Sequence, residues 1–92
     1  MRVADYLFRR LADEGVDHVF LLPGGGAMHL VDALGLTPGL TPVAMHHEQA
    51  AGIAAEAYGR ARGGLGVALV TTGPGGTNAL TPVAGAWLDS LP

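Results

Sequence analysis

The chain has 92 residues, a formal net charge of −3, five basic side chains that are all arginine, and no cysteine. That length fits one small domain, and the missing cysteine excludes disulfide and thiolate-metal scaffolds while fitting a reducing compartment. With no basic face for nucleic acid, no apolar run near the roughly 20 residues of a membrane span, and an acid directly after a short N-terminus that reads as no export signal, the expectation is a soluble cytoplasmic protein without nucleic-acid or membrane partners.

Residues 3–14 read as an amphipathic helix, because Val3, Leu7, Phe8 and Leu11 recur at three- and four-residue spacing. Gly15 is its expected stop. Residues 16–22 form a β-rich run of the length of a buried parallel strand, ended by Pro23. The glycines Gly24-Gly25-Gly26 let a backbone approach a ligand with no Cβ in the way, and an ordinary tight turn explains them equally well. Residues 27–34 form a short helix on Ala27, Leu30, Val31 and Leu34, with Met28 at its edge and Gly35 closing it. A surface loop follows over residues 37–42.

Residues 42–45 are a second short strand, and His47 or a neighbour starts a helix over about residues 48–62. That helix is crowded with alanine and glycine, and each interior glycine costs roughly 1 kcal/mol relative to alanine. A packing reason is therefore expected. The column Glu48, Gly52, Ala55, Gly59 is almost bare beneath the carboxylate, open to another helix or a partner subunit. Arg60 and Arg62 place cations at the helix's negative pole. Residues 65–71 are a third strand, followed by the corner Gly73-Pro74-Gly75-Gly76. A last helix runs from Thr77-Asn78 to about Asp89, and Pro82 inside it predicts a kink or a late start.

Alternating helices and strands give an α/β fold with three layers, a parallel sheet flanked by helices and joined by right-handed crossovers. The stop at Leu91-Pro92 falls where another strand is due and reads as a truncation; the isolated chain is expected to be poorly stable, with a sheet edge uncovered.

Each strand ends at a glycine-rich or polar corner, and in open α/β sheets such corners gather at one edge, where small ligands bind. Glu48 is the chemical focus. An acid in a first helical turn is also favoured by the helix dipole while facing water. A buried-type strand before it and an alanine-rich face after it favour function, because a carboxyl group in a partly apolar corner is suited to proton exchange with a ligand nitrogen. His46 and His47 are adjacent and point to opposite faces, so they do not share a metal, and no metal site is assigned. The chain lacks the lysine of a phosphate-binding loop and any dinucleotide fingerprint.

Taken together, Pro23-Gly24-Gly25, His47-Glu48-Gln49-Ala50-Ala51, Ala57-Tyr58-Gly59-Arg60-Ala61 and Thr71-Thr72-Gly73-Pro74-Gly75-Gly76-Thr77-Asn78, with Trp87-Leu88-Asp89-Ser90 after them, carry a resemblance. The chain resembles the N-terminal, pyrimidine-binding domain of thiamine-diphosphate-dependent enzymes of the acetolactate synthase and pyruvate oxidase type. The resemblance covers residues 1–92 and implies the N-terminal part of the thiamine-diphosphate-binding fold, an incomplete pyrimidine-binding domain. It further implies that Glu48 hydrogen-bonds a ring nitrogen of the aminopyrimidine, favouring the imino tautomer that removes the thiazolium proton and creates the ylid. Leu22, Pro23, Thr71, Pro74 and Asn78 match positions that contact or flank the pyrimidine, and Gly24 and Gly25 match the loop near the reacting centre.

In such enzymes a separate C-terminal domain, usually of a second subunit, holds the diphosphate and magnesium. The resemblance therefore implies a homodimer or homotetramer, and it leaves FAD in a full-length protein open. Thr71 stands where the benzoylformate-decarboxylase type has histidine, which favours the synthase-like branch. Residues 22–30 are also similar to relatives from surface-polysaccharide pathways, with a keto-sugar acceptor. The implied activity is decarboxylation of a 2-oxo acid such as pyruvate, with transfer of the acyl carbanion to an acceptor. The alternative is a non-catalytic binding module or a decayed fragment of the same fold.

Overall fold

Burial alternates along the central strand, and apolar residues recur at helical spacing on either side of it, and the resulting layers follow that pattern. The computed structural model describes residues Met1–Pro92. Strand β1 (His18–Leu21) is central, and β2 (Thr41–Ala44) and β3 (Ala68–Leu69) pair with it in parallel on either edge, giving the order β2-β1-β3. Phe20 lies opposite Val43 and Ala68, and Leu21 opposite Ala44 and Leu69.

The pleat sends successive β1 side chains to opposite faces. Val19 and Leu21 are buried on one face, in a core with Phe8 of α1 (Val3–Asp13) and with Ala33 and Leu34 of α2 (Met28–Leu36). Complete burial of side chains such as Phe8, Val19 and Leu34 contributes about 1.5–3 kcal/mol each. His18 and Phe20 point the other way and meet Tyr58 of α3 (Glu48–Arg62) edge-on, both at 5.7 Å between ring centroids. Helices α1 and α2 thus cover one face and α3 the other, with the sheet between them as the middle layer.

After β3 come a single helical turn, α4 (Gly75–Asn78), and then α5 (Leu80–Leu88), which packs on α3. The expected break in the last helix is therefore present, at Ala79. Pro82 is the third residue of α5, where its missing N–H is one of the donors a helix start leaves unpaired in any case. Its ring sits on Gly52, where an added Cβ would come within 2.4 Å of the Pro82 Cγ. The bare column on α3 has its packing reason here. Pro82 covers Gly52, and the chain at Gly64–Gly66 lies on Ala55 and Gly59, so closely that a Cβ on Gly66 would be 2.0 Å from the Ala55 carbonyl oxygen.

Several boundaries differ from the sequence expectation. The second helix starts at Met28, after a tight 3-10 turn over Gly25–Ala27, and runs through Gly35 to Leu36. The left-handed glycine of that connection is Gly39, at φ 86°, and the Thr37 hydroxyl closes the helix by donating to the Ala33 carbonyl at 2.7 Å. The third strand is two residues long because Gly64–Gly66 is committed to α3 before the chain reaches β1. Gly15 and Gly63 do adopt positive φ, 92° and 68°, and end α1 and α3.

Candidate functional site

From β1 the chain crosses to β2 on one side, and α3 then carries it back over the sheet to β3 on the other. Loops leaving the carboxyl ends of β1 and β3 therefore depart in opposite senses and open a crevice between them, the place where open parallel sheets bind ligands. The first loop brings Pro23-Gly24-Gly25-Gly26 to that crevice, and the third brings Thr71 to Asn78. Glu48 reaches it from across the sheet as the first residue of α3. His47 caps that helix, its Nδ1 accepting the Gln49 N–H at 3.0 Å, so the carboxylate is delivered by an anchored first turn.

The three corners touch. A Cβ on Gly24 would lie 2.5 Å from the Thr71 Cγ2, and one on Gly26 would lie 2.9 Å from the hydroxyl oxygens of both Thr71 and Thr72. On the far side of Thr71, a Cβ on the buried Gly75 would be 3.0 Å from the Thr71 Cγ2 and 3.5 Å from Glu48 Oε2. Asn78 closes the arrangement by donating from Nδ2 to Glu48 Oε1 at 3.4 Å. Within it, the Thr71 Oγ1 is buried and has no hydrogen-bond partner. A buried polar atom left unpaired is costly, and such atoms concentrate where a ligand or water completes the set.

The electrostatics single out Glu48 in the same way. Of the eight acids, six pair with arginine: Asp5 and Asp32 with Arg2, Glu14 with Arg10, Asp17 with Arg62, and Glu56 and Asp89 with Arg60. Asp13 is exposed to water. Glu48 alone is half-buried with no cation, and a single amide holds one of its oxygens. A carboxyl group so placed can give or take a proton at its other oxygen.

The structure gathers Gly24, Glu48, Thr71 and Asn78 into one crevice. Pro23 and Gly25, with Gly24, Met28 and Val31, line a neighbouring hollow of about 260 Å³. Leu22 stays half-buried in the sheet, its N–H donating to the Leu69 carbonyl at 3.2 Å. Pro74 is exposed, and its carbonyl serves its own turn by accepting the Asn78 N–H and the Thr77 hydroxyl. Gly75 has no assigned role in the sequence analysis, although the run Gly73-Pro74-Gly75-Gly76 holds it: the signal is a glycine directly after a proline, and only packing shows that it lies between Thr71 and Glu48. No group of three His, Asp or Glu side chains is placed to hold a metal ion, and no helix is long and apolar enough to cross a membrane.

A larger hollow of about 460 Å³ lies elsewhere, between α3, β3 and α5. Its lining of Ala68, Val70, Pro82, Val83 and Trp87 is apolar, and none of the crevice residues belongs to it.

The chain is 45% identical to the acetolactate synthase large subunit of Buchnera aphidicola over 89 residues, 47% identical to the acetolactate synthase isozyme 3 large subunit of Escherichia coli, and 44% identical to the chloroplastic acetolactate synthase 1 of Oryza sativa. Each match covers 97% of this chain but only 16%, 16% and 14% of the relative's length. A family model for the N-terminal thiamine-pyrophosphate-binding domain of thiamine pyrophosphate enzymes matches residues 1–92, and the chain belongs to that family.

Proposed function

We propose that this chain is the pyrimidine-binding part of an acetolactate-synthase-like enzyme, which decarboxylates a 2-oxo acid such as pyruvate and transfers the acyl carbanion to an acceptor. The observation that carries the reading is Glu48: a half-buried carboxylate without a cation, at the crevice where all three corners meet. The similarity to acetolactate synthases over nearly the whole chain supports the choice of reaction.

The residues present fit the aminopyrimidine half of thiamine diphosphate. That group needs a carboxyl for a ring nitrogen and polar atoms in want of partners. Glu48 Oε2 and the unpaired Thr71 hydroxyl meet those needs, and Gly24 and Gly75, having no Cβ, let the corners close on Thr71 beside the carboxylate. In our reading Glu48 is the catalytic residue of this chain and exchanges a proton with the ring nitrogen. Leu22, Pro23, Gly24, Gly25, Thr71, Pro74 and Asn78 bind or flank the ring. When bound, the cofactor supplies a carbon acid and an electron sink for the 2-oxo acid. Glu48 orients the ring and holds the proton, while the packed corner beneath it keeps bulk water from competing.

The diphosphate and its magnesium fall to a C-terminal domain outside this chain, contributed by a second subunit of a homodimer or homotetramer. A cytoplasmic enzyme, with or without FAD, is consistent with the cysteine-free composition. The test uses the full-length protein. Glu48→Gln is expected to slow hydrogen–deuterium exchange at the thiazolium carbon of bound thiamine diphosphate severely; exchange at the wild-type rate would sink the assignment.

A further inference from the structure

Glu48 has two carboxylate oxygens, and the crevice treats them differently. Oε1 accepts from Asn78 Nδ2 at 3.4 Å, and Asn78 is the only side chain that hydrogen-bonds the carboxylate. Oε2 faces Gly75, the one residue between Thr71 and the carboxylate that carries no side chain. Asn78 is itself fixed: its N–H donates to the Pro74 carbonyl at 3.0 Å, and it is half-buried at the end of α4. A side chain held on a packed turn from β3 therefore grips an oxygen delivered by a helix that follows β2.

We propose that Asn78 is a positioning residue: it holds Oε1 of Glu48 and so reserves Oε2 as the atom that exchanges the proton with the ligand. The proposal rests on the reading of Glu48 given above, and it moves Asn78 from the ring-contacting set to a role exercised through the carboxylate. A carboxyl group free to rotate about its last torsion presents either oxygen, because that torsion is broad and two-fold. One fixed hydrogen bond removes the ambiguity at small cost. An amide suits the task, since its NH2 donates to Oε1 both when the group is a carboxylate and when Oε2 carries the proton and Oε1 is the carbonyl oxygen of the acid. Asn78 adds no charge of its own to bias that proton transfer.

The test uses the full-length protein with Asn78→Ala, Asn78→Asp and Glu48→Gln. Three quantities are read: the thermal midpoint, the dissociation constant of thiamine diphosphate by calorimetry, and hydrogen–deuterium exchange at its thiazolium carbon. Asn78→Ala removes the donor without adding charge, so a role in packing alone predicts a lowered thermal midpoint with wild-type exchange; Asn78→Asp keeps the size of the side chain and replaces the donor by an acceptor that also repels the Glu48 carboxylate. Positioning predicts exchange slowed about ten- to a hundredfold in both Asn78 variants, the loss expected for one hydrogen bond to a charged group, with the dissociation constant changed less than about threefold. Wild-type exchange in either Asn78 variant overturns the proposal. So does a dissociation constant weakened tenfold or more at unchanged exchange, which is the signature of direct ring contact. Exchange unaffected by Glu48→Gln removes the parent reading instead, whatever the Asn78 variants do.

Discussion

At the amino end of β1, polar side chains satisfy one another; at its carboxyl end they do not. Asp17, His18, Tyr58 and Arg62 form the first group. Asp17 Oδ1 accepts from Arg62 at 2.9 Å and from the Tyr58 hydroxyl, and it lies 2.8 Å from His18 Nδ1. The Asp17 N–H donates back to the Tyr58 oxygen at 3.1 Å, and the Arg62 guanidinium stands 5.0 Å above the Tyr58 ring. At the other end, Glu48 has one long hydrogen bond, the Thr71 hydroxyl has none, and glycines occupy the positions between them. Both groups span α3 and the strands, and both combine acids, hydroxyls and ring or amide nitrogens. Completeness of pairing separates them: a closed set of partners fastens α3 to the sheet, and an open set leaves polar atoms unpaired at the crevice.

The largest effects should fall on function at one end and on stability at the other. Glu48→Gln in the full-length protein is expected to lower exchange at the thiazolium carbon about a thousandfold, within the range for a lost proton-transfer group. Its thermal midpoint should stay within a few degrees, because glutamine keeps the size of the side chain and an oxygen for Asn78. A midpoint lowered by more with exchange retained would place Glu48 among the fastenings. Tyr58→Phe makes the mirror case. It removes the hydroxyl shared by Asp17 and Arg62 and should lower the thermal midpoint by a few degrees. Exchange per folded molecule should be unchanged, and a tenfold loss at a constant midpoint would break the contrast.

Acid should loosen the amino end. The Tyr58 hydroxyl, then His18 and the charge of Arg62, hold the Asp17 carboxyl below its ordinary 3.8. A carboxyl lowered in the folded state adds stability above its unfolded value and loses it as pH falls through the folded value. Asp5 behaves alike beside Arg2. The thermal midpoint should therefore fall on acidification below about pH 4, the ordinary carboxylate range. Asp17→Asn should flatten that fall, and so should high salt, since both acids are exposed and screened. An acid limb identical in wild type and Asp17→Asn would contradict the closed set at the amino end.

Much of this was legible in the residues, and the rest was hidden for definite reasons. A strand buried at Val19 and Leu21, a helix stop at Gly15 and the break before Pro82 all follow from local chemistry, and they appeared where expected. Gly35 misled because a glycine ends a helix only where φ turns positive, and the chain places that turn at Gly39. The third strand was read as longer because Leu65 to Thr71 is apolar, yet Gly66 must lie on the Ala55 carbonyl, a constraint that comes from another helix. Glu48 stands out from its strand-to-helix corner and from the two glycine-rich corners that accompany it. The pairing of Asp17 with Tyr58, 41 positions away, does not, since nothing in either residue's neighbourhood names the other.

The smallest effect is the finest test of the carboxyl end, because Gly24 and Gly25 are adjacent and look alike in sequence. Gly24 is extended at φ −168°, a conformation any residue adopts, so only space opposes a side chain there. An alanine methyl would meet Thr71 at 2.5 Å from Cγ2 and 2.6 Å from Cβ, and the Cβ cannot swing aside without moving the strand end. Gly24→Ala should cost about 1–3 kcal/mol, as overpacking does. Around Gly25 nothing lies within 4 Å of the same methyl. Gly25→Ala should leave stability within about 0.5 kcal/mol or raise it slightly by restricting the unfolded chain. Thermal midpoints of the two variants measure the difference directly. Equal losses would mean that the first loop is packed along its length. A loss confined to Gly24 leaves the hollow beside Gly25 as open space, bounded by Met28 and Val31, that a ligand can enter without displacing protein.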